Sequence, residues 1–153
     1  MGITIQIASR VPGLPAPAAL RRWAGAALRH ASASHAAHAG DATIVVRVVN
    51  RAEGRRLNFA YRGKDGATNV LTFAYAPADA HRRIEADVVL CAQVVAAEAR
   101  EQGKPVAHHY AHLTVHGVLH AAGFDHENRA DAQRMEAREL AILGKLGIPD
   151  PYR

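Results

Sequence analysis

The feature that most constrains this chain is a run of histidines spaced by four residues, followed by a glycine and one more histidine. His116 and His120 fall on one face of a helix, because four residues advance an α-helix by slightly more than one turn. Gly123 can adopt the left-handed backbone conformation that ends a helix, and this bend turns His126 back toward the first two rings. The spacing therefore predicts a long helix that ends in a compact three-histidine cluster.

Three imidazoles suit a divalent ion, and we predict one Zn²⁺ per chain held by His116, His120 and His126. Three protein ligands leave the fourth tetrahedral position for water, which is typical of a catalytic zinc rather than a structural one. Imidazole also binds nickel, copper and iron, so this ligand set favours zinc without excluding them. We expect the neighbouring His112 and Asp125 to hydrogen-bond the imidazoles rather than bind the ion, although Asp125 could instead move protons.

A solvated histidine stripe is the alternative, because the chain has 10 histidines and His108 continues the same spacing. However, Leu113, Val115, Val118 and Leu119 surround the pair, so the helix is apolar on several sides and should be buried. Buried neutral imidazoles need polar partners, and a metal ion is such a partner. The pattern therefore favours metal binding over the stripe.

Zinc peptidases carry a similar histidine pair, but they place a glutamate, their general base, directly after the first histidine. In this chain that position is Gly117, which cannot move a proton. The sequence therefore disfavours a peptidase of this design.

The composition is that of an ordinary globular chain, with 153 residues, 49% of them hydrophobic and 22% charged. This length suits one domain, residues 1–153. The single cysteine, Cys91, excludes an internal disulfide and fits a reducing compartment, and we expect it to be a small buried residue. Neither a signal-peptide layout nor an apolar run of about 18 residues is present, so we expect a cytoplasmic protein without a membrane span.

Apolar alternation, β-branched runs and capping residues predict an α+β fold, in which about five helices pack with a small mixed sheet of four strands. The predicted strands are 3–7, 43–49, 70–75 and 87–90, and the predicted helices are 17–30, 51–61, 92–102, 106–122 and 129–146. We predict a loop at 31–40, helix caps at Asn50 and Asn128, and a core position for Trp23. The metal site falls on the long fourth helix and the turn after it.

The net charge is +5, and the basic residues are concentrated between positions 47 and 64. Such an asymmetry suggests a surface on the first half of the chain that faces a polyanion. Charge alone does not establish that surface, because many proteins of this size are basic.

The segment from His116 to His126 reads His-Gly-Val-Leu-His-Ala-Ala-Gly-Phe-Asp-His and resembles the signature of the YbeY family of bacterial rRNA-maturation endoribonucleases. Phe124 replaces the usual tyrosine. Ala67 and Ala86 also depart from the family's usual proline and glycine, and neither is a predicted ligand. A second block resembles the family in the same order, at Leu57-Asn58, Tyr61-Arg62, Lys64-Asp65 and Thr68-Asn69-Val70-Leu71. The resemblance extends from about residue 45 to 152.

The resemblance implies a single-domain α/β fold, zinc at the three histidines and cleavage of single-stranded RNA. It further implies a role in 16S rRNA 3′-end maturation and ribosome quality control, with ribosomal RNA and the small ribosomal subunit as partners. Arg62 corresponds to an arginine that the resemblance implies is needed for activity. We predict that it clamps the phosphate beside His116 and His120; the alternative is a solvated arginine in a turn.

Electrostatic contact with the RNA backbone is expected from Arg55, Arg56 and Lys64. Two other functions stay open: a non-catalytic ribosome-assembly factor whose metal stabilises the fold, and a metal-dependent hydrolase of peptides or small molecules. The general base, the bonds cleaved and the oligomeric state do not follow from the sequence.

Overall fold

The computed structural model describes residues 2–34, 38–75, 83–124 and 128–153, which form one four-stranded mixed sheet and five helices. Along the chain the elements are β1 (Gly2–Ala8), α1 (Pro17–Ser34), β2 (His38–Val49), α2 (Arg51–Arg62), β3 (Val70–Ala74), β4 (Arg83–Cys91), α3 (Ala92–Gln102), α4 (Val106–Ala121) and α5 (Arg129–Lys145). The strand order is β1-β2-β4-β3, with parallel pairing except between β3 and β4. The predicted α+β fold is confirmed.

The main core lies on one face of the sheet, because alternate residues of a strand point the same way. Ile44, Val46 and Val48 of β2 are fully buried, and their register neighbours Val88 and Leu90 of β4 are buried beside them. α1 and α4 cover this face, and α5 packs on these two helices.

The opposite face carries a smaller cluster beneath α2. Leu57 of α2 packs there on Val49, Leu71 and Val89. The two helices that carry the predicted site, α2 and α4, therefore flank the sheet from opposite sides, and β3 is the edge strand between them.

α4 lies close to the sheet because Gly117 has no side chain. A Cβ atom at this position would lie 2.6 Å from Cγ1 of Val88 and 3.3 Å from both Oγ1 of Thr72 and Cγ2 of Val70. Instead, the Thr72 hydroxyl donates to the carbonyl oxygen of Gly117 at 3.2 Å. This contact fixes the height of the helix above β3 and β4.

The helix end predicted at Gly123 is confirmed. Gly123 has a positive φ of 103°. Its N–H donates to the carbonyl of His120 at 3.1 Å, and the N–H of Phe124 donates to the carbonyl of Leu119 at 3.1 Å. This pair of bonds is a Schellman motif, which satisfies the last carbonyls of a helix.

The loop predicted at 31–40 is wrong at its described ends. Residues 31–34 complete α1, and 38–40 begin β2. Ala27 and Ala31 are both fully buried and lie four residues apart, so the apolar stripe of α1 continues through alanine, the best helix former. β2 is longer because His38 pairs with Arg83, where β4 also begins earlier than predicted.

The two predicted caps differ. The Asn128 side chain accepts from the N–H of Asp131 at 2.9 Å, as predicted. Asn50 occupies the N-cap position of α2, but its side chain makes no cap bond. Its Oδ1 accepts from the Ser9 hydroxyl instead, so the side chain joins β1 to α2.

Two smaller predictions concern burial. Trp23 and Cys91 are 3% and 2% exposed, and both lie in the interior as expected.

Among the described helices, none combines the length and apolar character needed to cross a membrane.

Candidate metal centre and substrate cleft

A cleft of about 630 Å³ runs along β3, with the end of α2 on one side and α4 on the other. It brings Arg62 together with His116 and His120, the three residues predicted to act in catalysis. The remaining lining residues are Tyr61, Asn69, Val70, Thr72, Phe73, Ala74 and Tyr75. The structure thus joins two sequence segments that lie more than fifty residues apart.

The His116 and His120 rings lie side by side in this cleft. Their centroids are 6.2 Å apart and their planes meet at 83°. In zinc sites, one nitrogen of each histidine ring lies about 2.0–2.1 Å from the ion. Two rings as close as these can therefore bind the same ion. The apolar residues around the pair are buried, as predicted: Leu113, Val115, Val118 and Leu119.

A buried carboxylate on α5 lies behind the pair. Glu139 is 1% exposed; its Oε2 lies 3.1 Å from Nδ1 of His116, and its Oε1 lies 2.6 Å from Nε2 of His112. Burial by itself raises the pKa of this carboxyl, but hydrogen bonds from the two histidines outweigh burial and lower the pKa to about 2. The ionised Glu139 accepts the Nδ1–H of His116, so a metal bound by this ring would be held at Nε2.

Tyr152 completes the surroundings of this carboxylate. Its hydroxyl donates to Oε1 of Glu139 at 2.8 Å and lies 3.1 Å from Nε2 of His112. Burial and the nearby carboxylate raise the pKa of Tyr152 well above its ordinary value, so the hydroxyl keeps its proton. Nε2 of His112 is thus hydrogen-bonded to Glu139. This contact supports the prediction that His112 lies next to the metal ion without binding it.

These contacts suit a zinc site, because zinc-binding imidazoles commonly donate their other N–H to a carboxylate. Within the described ranges, no three His, Cys, Asp or Glu side chains form a group that could hold a metal. The predicted third ligand, His126, and its neighbour Asp125 lie outside the described residues. The three-histidine ligand set and the zinc therefore stay predictions.

The catalytic candidate Arg62 and the three predicted RNA-binding cations, Arg55, Arg56 and Lys64, lie in different places. Arg62, the last residue of α2, lines the cleft. Arg55 and Arg56 line a separate depression, where Arg55 donates to both carboxylate oxygens of Asp65, at 2.6 and 3.1 Å. Lys64 is exposed just beyond the helix. Of this set, only Arg62 shares the cleft with the histidines.

Asn69 enters the cleft from a second, partly buried network. Its Nδ2 donates to Oε1 of Glu98 at 3.0 Å, and the same oxygen lies 2.8 Å from Nε2 of His109. Burial lowers the pKa of His109 despite the opposing effect of Glu98, so the neutral ring donates its Nε2–H. Asn69 is thereby fixed by residues of α3 and α4.

Glu139 and Tyr152 did not emerge from the sequence reasoning. Glu139 had a usable signal: it lies on the buried stripe of α5, four residues after Met135 and four before Leu143. A carboxylate on an apolar stripe indicates a buried polar partner. Tyr152 had no such signal, because it lies outside the helices and strands.

Comparison with known proteins agrees with the expected resemblance. The family model described as Endoribonuclease YbeY matches residues 11–147. A Thiobacillus denitrificans protein named Endoribonuclease YbeY is 53% identical over 153 residues, covering 98% of this chain and 95% of that protein. An Aromatoleum aromaticum protein of the same name is 55% identical over 138 residues, covering 90% and 81%.

The fold has a solved counterpart. The solution structure of a Thermotoga maritima protein superposes with a TM-score of 0.60 at 23% identity, covering 98% of this chain and 99% of the other. At that identity the likeness concerns the fold alone. The family match, together with relatives more than half identical over most of the chain, shows that this protein belongs to the YbeY endoribonuclease family.

Proposed function

We propose that this protein is a zinc-dependent endoribonuclease that cleaves single-stranded RNA, with its ion held by His116, His120 and His126. The observation that carries the proposal is the cleft in which Arg62 meets two imidazoles of α4. One of these imidazoles is oriented by the buried Glu139. The names of the relatives supply the reaction class.

We extend the proposal to the biological setting on family membership. The substrate is ribosomal RNA of the small subunit, the processed region is the 3′ end of 16S rRNA, and the protein also acts in ribosome quality control. These events take place in the cytoplasm.

Cleavage of a phosphodiester requires a fixed phosphate, compensation of growing negative charge and a proton for the leaving oxygen. The guanidinium of Arg62 can donate two parallel N–H bonds to two phosphate oxygens, which both orients the group and offsets its charge. When bound, zinc supplies Lewis-acid polarisation of a phosphoryl oxygen and activation of water near neutral pH.

The carboxylate network prepares the metal-binding side. Glu139 fixes the His116 ring and makes it a stronger electron donor toward an ion at Nε2. His112 and His116 both hydrogen-bond this carboxylate, and these bonds keep it ionised although it is 1% exposed. This arrangement limits the rotation of the His116 ring before any ion binds.

Peptide hydrolysis of the zinc-peptidase type is disfavoured on steric grounds. Such an enzyme needs a glutamate at position 117, where even a Cβ atom would lie 2.6 Å from Val88. A side chain there would force α4 away from the sheet.

The decisive experiment measures cleavage of an end-labelled single-stranded RNA by purified protein before and after chelation. Cleavage should stop on metal removal and return on addition of Zn²⁺, while the far-UV circular dichroism spectrum persists. The same RNA annealed to its complement is the matched control and should stay intact. Cleavage that survives complete metal removal would contradict the proposal. Loss of the spectrum on chelation, with no cleavage by the metal-loaded protein, would favour the non-catalytic assembly factor.

A further inference from the structure

The cleft beside Arg62 is rich in aromatic side chains, although the chain is poor in them. The sequence has four tyrosines and three phenylalanines, and two of the tyrosines with one phenylalanine line this single cleft. Tyr61 is 67% exposed and Tyr75 is 56% exposed. Exposed aromatic rings beside a cationic side chain are a common means by which proteins hold unpaired bases.

The rings are supported from behind. Tyr61 contacts Phe73 with a centroid separation of 4.9 Å and an interplanar angle of 54°. Phe73 in turn packs on the buried cluster beneath α2 that contains Leu71 and Val89. Tyr61 therefore rests on the sheet while most of its surface faces solvent.

Tyr75 is fixed by its hydroxyl, which donates to Oδ2 of Asp87 at 2.8 Å. Asp87 of β4 is the register partner of Phe73 of β3. Tyr75 contacts Asp87 and Tyr61 contacts Phe73, so all three rings lie against the same pair of strands. Burial and Asp87 raise the pKa of Tyr75 to about 12, so the hydroxyl keeps its proton for the bond to Asp87.

We propose that Tyr61 and Tyr75 form a stacking platform for unpaired bases next to the phosphate that Arg62 holds; this inference rests on the proposed function. Tyr61 and Arg62 are adjacent at the end of α2, so one helix end reaches both a base and its phosphate. Bases inside a duplex are covered on both faces by their neighbours and cannot stack on these rings. The platform thus selects single-stranded RNA.

Phe59 offers a matched control on the same helix. It is 62% exposed, as accessible as Tyr61, but it lines the separate depression with Arg55 and Arg56. A general effect of surface aromatic residues on RNA binding would involve Phe59 equally.

The experiment mixes zinc-loaded protein in a stopped-flow instrument with a short single-stranded RNA that contains 2-aminopurine, whose fluorescence falls when it stacks. Wild-type protein and the variant Tyr61→Phe should quench the fluorescence. Tyr61→Leu and Tyr75→Leu should lose the quenching and bind the RNA about tenfold more weakly. Phe59→Leu should keep the full quenching, and the unfolding temperature of each variant shows that it is folded.

Full quenching and unchanged affinity in both leucine variants, with RNA cleavage by the wild type intact, would overturn the platform and leave the proposed function standing. Failure of the wild-type protein to bind or cleave single-stranded RNA would overturn both. Equal loss of quenching in Phe59→Leu would also overturn the platform, because base stacking would not be confined to the cleft.

Discussion

Oε2 of Glu139 lies 3.1 Å from Nδ1 of His116, across 23 positions of sequence and between two helices. The carboxylate is interior, and the imidazole lies at the edge of an open cleft. The orientation of this predicted metal ligand therefore depends, through one hydrogen bond, on how α5 packs on α4.

Glu139→Gln should weaken zinc binding by about 10- to 100-fold, because the neutral amide holds the His116 ring less firmly. Competition with a chelator of known zinc affinity measures the change. Glu136→Gln is the control, since Glu136 is exposed on the same helix. Equal affinity of the Glu139 variant and the wild type would contradict an orienting role.

Acid should destabilise the metal-free protein through the same carboxyl. The pKa of Glu139 is lowered from 4.5 to about 2 in the folded chain, so the unfolded chain binds the proton more readily. The stabilisation is complete above pH 4.5 and is lost as the pH falls toward 2. Urea unfolding in excess chelator at several pH values should show this fall in wild type and a smaller fall in Glu139→Gln. Parallel pH profiles would exclude Glu139 as the source.

His116→Ala and Arg62→Ala should both suppress RNA cleavage, by on the order of 100-fold or more. Only His116→Ala should lower the zinc content, because Arg62 is assigned to the phosphate and not to the ion. Metal analysis of both purified variants, with the RNA assay in parallel, makes the comparison. Equal loss of metal in the two variants would overturn this division of roles.

Gly117→Ala should lower the free energy of unfolding by about 1–3 kcal/mol, because the new Cβ would lie 2.6 Å from Val88. Gly144→Ala is the matched control in α5, where a Cβ meets nothing within 4 Å. That change should stabilise the protein by about 0.5–1 kcal/mol. Denaturant unfolding distinguishes the two, and an unaffected Gly117→Ala would show that α4 can shift freely on the sheet.

RNA binding should weaken steeply with salt if Lys64 and its neighbours hold the backbone. Lys64→Gln should then reduce the slope of log affinity against log salt by about 0.7, the value for one contact to a single strand. Arg100→Gln on the exposed side of α3 should leave the slope unchanged. A common slope for all three proteins would remove Lys64 from the RNA-binding set.

Local rules predicted the elements that carry the histidines. The spacing of His116 and His120, the apolar residues around them and Gly123 all act within a few turns of one helix. The end of α4 therefore followed from sequence, including the positive φ of Gly123. Likewise, the run of β-branched residues at 43–49 predicted a strand, and β2 contains it.

Contacts between side chains of different elements did not follow from the sequence. Arg47 and Arg55 contributed to a basic stretch in the sequence, but they donate to Glu53 at 2.7 Å and Asp65 at 2.6 Å, which compensate their charge. Whether an arginine has such a partner depends on the fold. A count of basic residues in the sequence therefore overstates the positive charge that this surface offers to a polyanion. The pairing of Glu139 with His116 likewise depends on how α5 crosses α4.

Tyr152 lies outside the helices and strands, yet its hydroxyl reaches the interior carboxylate of Glu139. A single proteolytic cut after Pro151 would remove this donor without touching the cleft or the sheet. We expect such a cut to lower the zinc content of the protein and to leave its overall fold unchanged. Any variant that lacks Tyr152 therefore calls for a metal assay before its kinetics are compared.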